Sequence, residues 1–262
     1  MFSLDKIQES SPIHNSERSY GAGIPHRLPS VQDSVYAALR NSIINLNLAP
    51  GTAISEKDIS QRFEVSRTPV REAFIHLSKE GLIRVIPQKE TMVSLIDLAR
   101  VEQEFFLRQS LEIAVQEHFL RNSKREHINE LENLLDLQAE ALKKNSPADF
   151  IRYDDAFHRT FFDGAGQPLC WEIVSSMSGH YYRVRMLIVR ISGIADEKVL
   201  HHRNIFEALK NHDLEKTRKL LFSHLSLETE EDLLREKFPD FFVPQDEKNR
   251  FDVDFGGMPR LS

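Results

Sequence analysis

The chain has 262 residues, 40% of them hydrophobic, and a formal net charge of −6 at pH 7, so we expect two domains with substantial cores. The lone cysteine, Cys170, excludes internal disulfides and thiolate metal sites and fits a reducing cytoplasm. The N-terminus lacks a signal-peptide core and the apolar run at residues 186–189 is too short to span a bilayer, which predicts a cytoplasmic protein without a membrane partner.

The first element expected along the chain is a mobile arm. Residues 1–29 are rich in Ser, Asn, Pro and Gly and have no sustained period. Residues 31–45 predict an amphipathic helix, because Val35, Leu39 and Ile43 recur every four residues. Pro50 and Gly51 then predict a turn.

Two short helices are predicted next, joined by about three residues. Ser55 is a helix N-cap followed three residues later by Asp58. Ser66 caps the second helix, Pro69 falls in its first turn, and Gly81 ends it. This arrangement is a helix-turn-helix.

The second helix carries a candidate DNA-reading face. Arg67 and Arg71 are four residues apart and away from the apolar stripe, near the helix start, where a recognition helix contacts base edges. Arginine there can bind the two acceptors of guanine, with Ser66 and Thr68 on phosphates. An ordinary solvated helix face is the alternative interpretation of the arginine pair.

A β-hairpin follows this helix. Residues 82–86 and 92–96 predict two short strands around Gln88 and Lys89, which we expect to contact backbone phosphates as a wing. Residues 28–94 carry eight Lys or Arg and seven Asp or Glu, whereas residues 95–262 carry a net charge of −7. The acidic excess therefore belongs to the second domain and does not argue against DNA binding.

The run from Ser66 to Ala73, followed by Leu77 and then by Glu80, Gly81 and Leu82, resembles the signature of the GntR family of bacterial transcription regulators. The similarity covers residues 35–93 and implies a winged helix-turn-helix that binds double-stranded DNA. The family's hairpin usually has a Pro-x-x-Gly tip, whereas this chain has Glu90 in place of the glycine.

From Asp97 onward the pattern is helical. We expect helices over residues 97–121, 124–144, 148–162, 168–191, 196–210 and 213–237, separated by turns rich in Pro, Gly and Asn. The predicted fold is mainly α: an N-terminal winged helix-turn-helix over residues 30–94 and a C-terminal all-α antiparallel helical bundle over residues 97–238. The tail, residues 239–262, has no clear period.

Four polar residues on apolar helix faces form a candidate metal site. Asp154 and His158 are one turn apart, and His202 and His224 each lie among apolar residues. The last two helices turn near His212, so both histidines lie on the order of 15–18 Å from the turn and are level in an antiparallel hairpin. Neutral imidazoles with one carboxylate suit Zn, Ni, Mn or Fe. For any single histidine, a hydrogen-bonded place in a core is the plainer interpretation.

The helical region resembles the FCD ligand-binding domain of the FadR-type branch of the same family. Many members of that branch have an Asp-x-x-Phe-His motif and two later histidines as metal ligands. The resemblance assigns these roles to Asp154, His158, His202 and His224, with His201 as a competitor for His202.

Arg108 is a candidate effector-binding residue. It shares a helix face with Val101, Phe105 and Leu111, which places its guanidinium at least partly inside. A fork for a ligand carboxylate is one role, and an internal ion pair with Glu104 or Glu112 is the other. Further candidates on a facing helix are Tyr182 and Arg185, together with His180 and Arg183.

Together these features predict a homodimeric, ligand-responsive transcription regulator, more specifically a repressor, that reads an inverted-repeat operator and senses a small carboxylate. A metal-ion sensor is the first alternative. A metal-dependent enzyme is the second, although four protein ligands leave little room for catalysis.

Overall fold

A computed structural model describes residues 30–86, 89–191, 194–225 and 231–244. The expected N-terminal arm, the predicted contact by Gln88 and residues 245–262 of the tail lie outside the described residues. Among the described helices, none is both long and apolar enough to cross a membrane.

The N-terminal domain is a winged helix-turn-helix. Its elements are α1 (Val31–Ile44), β1 (Ala53–Ile54), α2 (Glu56–Arg62), α3 (Arg67–Lys79), β2 (Ile83–Ile86) and β3 (Glu90–Val93). The three strands form an antiparallel sheet in the order β1-β3-β2, and β1 is too short to have been predicted. Leu39, Ile59 and Leu77 are fully buried and hold the three helices together.

The two N-caps of the helix-turn-helix differ. Ser55 accepts a hydrogen bond from the amide of Asp58 at 3.1 Å, as its position predicts. Ser66 has the extended backbone of an N-cap, but its side chain accepts no capping bond. The Ser66 hydroxyl therefore remains exposed at the start of α3.

The C-terminal domain is a bundle of helices. They are α4 (Leu98–Asn122), α5 (Arg125–Lys143), α6 (Pro147–Gly164), α7 (Pro168–Ser176), α8 (Gly179–Ile188), α9 (Ile194–Lys210), α10 (Leu214–His224) and α11 (Glu231–Lys237). A core rich in phenylalanine, including Phe157 and Phe161, lies between α4, α5, α6, α9 and α10. Polar side chains on the inner faces of α6, α9 and α10 are thereby held beside this core.

The continuous helix predicted over residues 168–191 is wrong, because the chain breaks between α7 and α8. The Glu104 carboxylate of α4 accepts hydrogen bonds from the amides of His180 and Tyr181, both at 2.9 Å. It thereby satisfies the first amide donors of α8, which would otherwise be buried without acceptors. The residue that stabilises the start of α8 lies more than 70 positions earlier in the chain, so local periodicity could not reveal this contact.

The last predicted helix, residues 213–237, is also two helices among the described residues. Asp213 caps α10 by accepting from the amide of Lys216 at 2.9 Å, and α10 ends at His224. The segment after α11 packs closely although its sequence lacks a period. Phe242 is 3% exposed and forms a parallel β-bridge with Ile96.

Candidate nucleic-acid interface and metal centre

The N-terminal half of α3 presents a polar face to solvent. Val70, Ala73 and Leu77 are fully buried in the domain core, which fixes the rotation of the helix. The opposite face exposes Arg67, Thr68 and Arg71. The orientation that buries the apolar stripe therefore leaves the predicted reading face free.

Arg71 is oriented by a partner that its own helix does not supply. Its Nε and Nη2 atoms donate to the two carboxylate oxygens of Glu56 in α2, each at 3.1 Å. The Arg71 side chain is 66% exposed, so solvent screens this pair. This bidentate contact fixes the orientation of the guanidinium and leaves it exposed to solvent.

The wing lies beside α3 and carries one described cation at its tip. Lys89 is exposed in the turn between β2 and β3, and Glu90 beside it is exposed as well. A glutamate at this point reduces the positive potential of the tip.

Four buried side chains converge inside the helical domain. Asp154 and His158 extend from α6, His202 from α9 and His224 from α10. One ligand atom from each lies within 4.8 Å of the others. The Nε2 atoms of His202 and His224 are 2.9 Å apart, and Nε2 of His202 is 3.5 Å from Oδ1 of Asp154. The two histidines of the α9–α10 hairpin are thus level.

Two residues outside this set orient the imidazoles. Nδ1 of His158 lies 2.6 Å from Oε2 of Glu112, and Nδ1 of His202 lies 2.7 Å from Oε1 of Gln138. The Gln138 amide nitrogen faces the carbonyl of Tyr153 at 3.4 Å, so its oxygen faces His202. Both Nδ1 atoms therefore donate, and in the neutral form of such a ring the Nε2 lone pair is directed into the site.

The burial of these groups sets their charge. Burial lowers the pKa of His202 to about 3 and that of His224 well below its ordinary value. For Asp154, burial favours the neutral acid, but the positive charges of Arg185 and nearby groups outweigh it and lower the pKa. At neutral pH His202 and His224 are therefore unprotonated and Asp154 is a carboxylate, which are the protonation states that bind a metal ion.

Among the described residues, Nε2 of His158 and Nδ1 of His224 are buried and have no hydrogen-bond partner. Buried polar atoms normally have partners, and leaving one without a partner costs roughly 1–3 kcal/mol. A cation shared by the four side chains would use the His158 lone pair. The donor set and this unsatisfied atom both fit a divalent transition metal.

A cavity of about 40 Å³ adjoins the cluster. Arg108 and Arg185 line it together with Tyr181, Asp154, His158 and His224. Arg108 donates from Nε to Glu112 at 2.6 Å, whereas its buried Nη2 atom has no hydrogen-bond partner among the described residues. Arg185 is paired with Asp154 and, at 2.7 Å, with Asp155. Nη2 of Arg108 lies 3.8 Å from Oδ2 of Asp154, so this side of the guanidinium has an ion-pair contact but no hydrogen bond.

Two predicted candidates lie elsewhere. Tyr182 does not line the cavity; it packs where the core of the helical domain meets that of the DNA-binding domain, and its neighbour Tyr181 lines the cavity instead. His201 is partly exposed and faces Glu197 at 3.7 Å, outside the converging set.

Comparison with known proteins decides the family. Residues 31–93 match the family described as bacterial regulatory proteins of the gntR family, and residues 104–227 match the FCD domain. The HTH-type transcriptional repressor RspR of Escherichia coli K12 is 34% identical over 195 residues, which cover 74% of this chain and 86% of RspR. This chain belongs to the gntR family.

A further relative agrees with the gntR assignment, and solved structures share the fold. A regulator of Escherichia coli O6:H1 called YdfH is 34% identical over 75% of this chain and 86% of its own length. Escherichia coli McbR/YncC has the same fold with a TM-score of 0.67, 20% identity and coverage of 80% of this chain and 100% of its own. A GntR regulator from Rhodococcus sp. RHA1 gives a TM-score of 0.62 at 21% identity over 80% and 98%.

The gntR membership makes this protein a DNA-binding transcription regulator, not an enzyme. Its FCD domain contains a buried Asp/His group that could hold a metal ion.

Sequence reasoning missed Glu112, Gln138 and Tyr181 as parts of this gntR site. Gln138 did leave a signal, because it continues the buried stripe of Leu131, Leu134 and Leu135 along α5 as its polar member. The sequence pattern indicates Glu112 only as a partner of Arg108. Its second contact, with His158, requires knowledge of how α4 packs against α6.

Proposed function

We propose that this regulator is a homodimeric repressor whose affinity for an inverted-repeat operator is set by a small organic acid bound beside a divalent metal. The observation that carries the proposal is the cluster of Asp154, His158, His202 and His224 beside Arg108, whose Nη2 atom makes no hydrogen bond to any described residue. The FCD match supports it, because the cluster falls within residues 104–227.

Asp154, His158, His202 and His224 would hold the metal, with Zn, Ni, Mn or Fe as candidates. A bound cation would supply a Lewis-acidic centre that accepts an oxygen ligand and would tie α6, α9 and α10 together. Glu112 and Gln138 keep the lone pairs of His158 and His202 directed inward.

The charge of the adjoining cavity favours an anionic ligand. Arg108 and Arg185 contribute two buried guanidinium groups, and Arg108 retains Nη2 as a donor. A planar guanidinium binds carboxylates through paired hydrogen bonds, which makes a small carboxylate the ligand class of choice. A cavity of about 40 Å³ holds about one water molecule, so a larger acid must displace side chains on entry. That displacement is how a ligand can shift the population of helix arrangements.

At the other end of the molecule, Arg67 and Arg71 would read bases, while Ser66, Thr68 and Lys89 contact phosphates. The free Ser66 hydroxyl supports the phosphate role, because it is not consumed by a capping bond. Two such domains related by a two-fold axis match an inverted repeat. The similarity to RspR, which is named a repressor, favours repression as the outcome.

The test couples metal content to DNA binding. An operator is first selected from a random duplex library with purified wild-type protein. Its affinity is then measured for metal-free protein, metal-loaded protein and metal-loaded protein with each member of a panel of small carboxylates. The proposal requires an acid that changes affinity only when metal is present, and a flat response to the whole panel contradicts it.

A metal-sensing regulator is the second candidate, and the small size of the cavity favours it. Four protein ligands with little free space suit a site in which the ion itself is the signal. The same titration separates the two: a sensor changes operator affinity on metal loading alone and ignores the acids.

A further inference from the structure

The linker between the two domains, residues 94–97, is partly buried and makes several hydrogen bonds to both domains. The Ser94 amide donates to the carbonyl of Leu82 at 3.0 Å, and Ile96 is fully buried. Linkers between independently moving domains are typically exposed and make few contacts. The contacts on both sides of this linker therefore require an explanation.

Helix α8 holds one side of the linker. Arg183 donates from Nη1 to the carbonyl of Ser94 at 2.6 Å and from Nη2 to its hydroxyl at 3.2 Å. His180 accepts from the amide of Asp97 at 3.0 Å and contacts the carbonyl of Gly81, just after α3, at 3.1 Å. Helix α8 also carries Arg185, which pairs with Asp154. The helix therefore contacts the linker, Gly81 just after α3 and the candidate metal site.

The C-terminal segment holds the other side. Ile96 donates from its amide to the carbonyl of Phe241 at 2.8 Å and accepts at its carbonyl from the amide of Val243 at 3.0 Å. These two bonds form a parallel bridge between the linker and Phe242. The linker backbone is thus hydrogen-bonded both to side chains of α8 and to the backbone of the C-terminal segment.

The C-terminal segment that contacts the linker also packs against α11 and the core. Leu234 of α11 is 1% exposed and Phe242 is 3% exposed, and both belong to the same core cluster as Ile96. Arg235 lies over the ring of Phe242 at 5.7 Å and donates to the carbonyl of Val243 at 3.3 Å. Residues 231–244 therefore pack together as one unit, which we call the clasp.

The clasp and the linker both lie outside the matched family regions. The gntR match ends at residue 93, and the FCD match covers residues 104–227. Neither matched region includes the contacts between Ile96 and the clasp.

We propose that the clasp locks the joint between the two domains and so fixes the orientation of the DNA-binding domain on the helical domain. Without it, the linker keeps its contacts with α8 and with Leu82, but the Ile96 amide and carbonyl lose both partners. Released backbone groups take water as their partner and exchange hydrogen through local opening. The proposal stands independently of any metal or ligand.

Hydrogen exchange of the metal-free protein tests this inference. Two variants open the clasp: a chain ending at Lys237, and Val243→Pro, which removes one amide donor. Phe242 already has the extended backbone that a following proline requires. The matched controls are a chain ending at Pro244 and Val243→Ala, which keeps the amide.

We expect exchange of the linker amides to accelerate about tenfold or more in both opened variants and to stay at the wild-type rate in both controls. Peptides from α6 serve as the internal reference and must not change. Wild-type linker exchange in the chain ending at Lys237 overturns the proposal. Equal acceleration of α6 also overturns it, because the segment would then only cap the helical core.

Discussion

The Nδ1 atom of His158 lies 2.6 Å from Oε2 of Glu112, and the other oxygen of the same carboxylate accepts from Nε of Arg108 at 2.6 Å. One buried carboxylate therefore orients a candidate metal ligand and a candidate effector-binding arginine. Burial alone would raise the pKa of Glu112, but its hydrogen bonds and electrostatic contacts with Arg108 and His158 outweigh burial and lower that pKa to about 2, which keeps the carboxylate an acceptor. This contact links the two halves of the proposed sensing site.

Replacing Glu112 by glutamine should weaken metal binding. A side-chain amide can donate to His158 and favour the tautomer that directs the lone pair away from the cluster. We expect a loss of about 10–100-fold in metal affinity, measured by competition with a chromophoric chelator. Glu102→Gln, on an exposed face of the same helix, is the control. Equal affinities of the Glu112 variant and wild type would remove Glu112 from the site.

Arg108→Lys should separate metal binding from acid binding. Lysine keeps the positive charge beside Glu112 but loses the fork that pairs with a carboxylate. The variant should bind metal with wild-type stoichiometry and lose the melting-temperature increase produced by the active acid. Arg121→Lys, on the exposed end of α4, should behave as wild type. An unchanged acid-induced shift in the Arg108 variant would show that the ligand binds without this residue.

Arg67→Ala and Arg71→Ala should each weaken binding to the selected operator about five- to a hundredfold and relax specificity at one base position. Lys79→Ala, at the far end of α3, is the control for lost charge. The measurement is a competition gel-shift series with operators mutated singly along the half-site. If both arginine variants retain the wild-type order of preference, α3 does not read bases through them.

The stability of the metal-free protein should fall as the pH falls below about 6.5. Burial and the nearby charge of Arg183 lower the pKa of His180 from 6.5 to about 3. Between these two values the unfolded chain binds a proton at this position that the folded chain excludes, so stability rises with pH across that window. One such histidine contributes up to about 1.4 kcal/mol per pH unit.

His180→Asn tests this contribution, because the asparagine oxygen can still accept from the amide of Asp97 and the side chain does not titrate. Urea unfolding at pH 5 and pH 7 should show a smaller loss of stability for the variant than for wild type. A difference between the two pH values that is the same for both proteins would remove His180 as a cause.

Local sequence pattern located most of the described fold because caps, apolar stripes and turn residues act over a few positions. It also placed His202 and His224 level with each other, since counting residues from a shared turn fixes height in an antiparallel hairpin. It could not locate the break before α8, which depends on Glu104 of α4. The orienting contact between His158 and Glu112 is hidden for the same reason.

The clasp shows the same limit. Phe242 and Ile96 form a β-bridge although most of the second domain separates them in the sequence. Neither residue lies in a periodic pattern that predicts the other as its partner. A single β-bridge needs no alternating strand, so residues 239–244 resemble a loose tail in sequence and form a buried contact in the fold.

The central claim is most directly tested by the metal content of the purified wild-type protein beside that of His158→Ala, by elemental analysis after exposure to Zn, Ni, Mn and Fe(II) in turn. The account predicts about one tightly held ion per wild-type chain for at least one metal, with a melting temperature that falls when the ion is removed. It predicts a marked loss of both in the variant. Metal at background level in the wild-type protein for all four ions would contradict it.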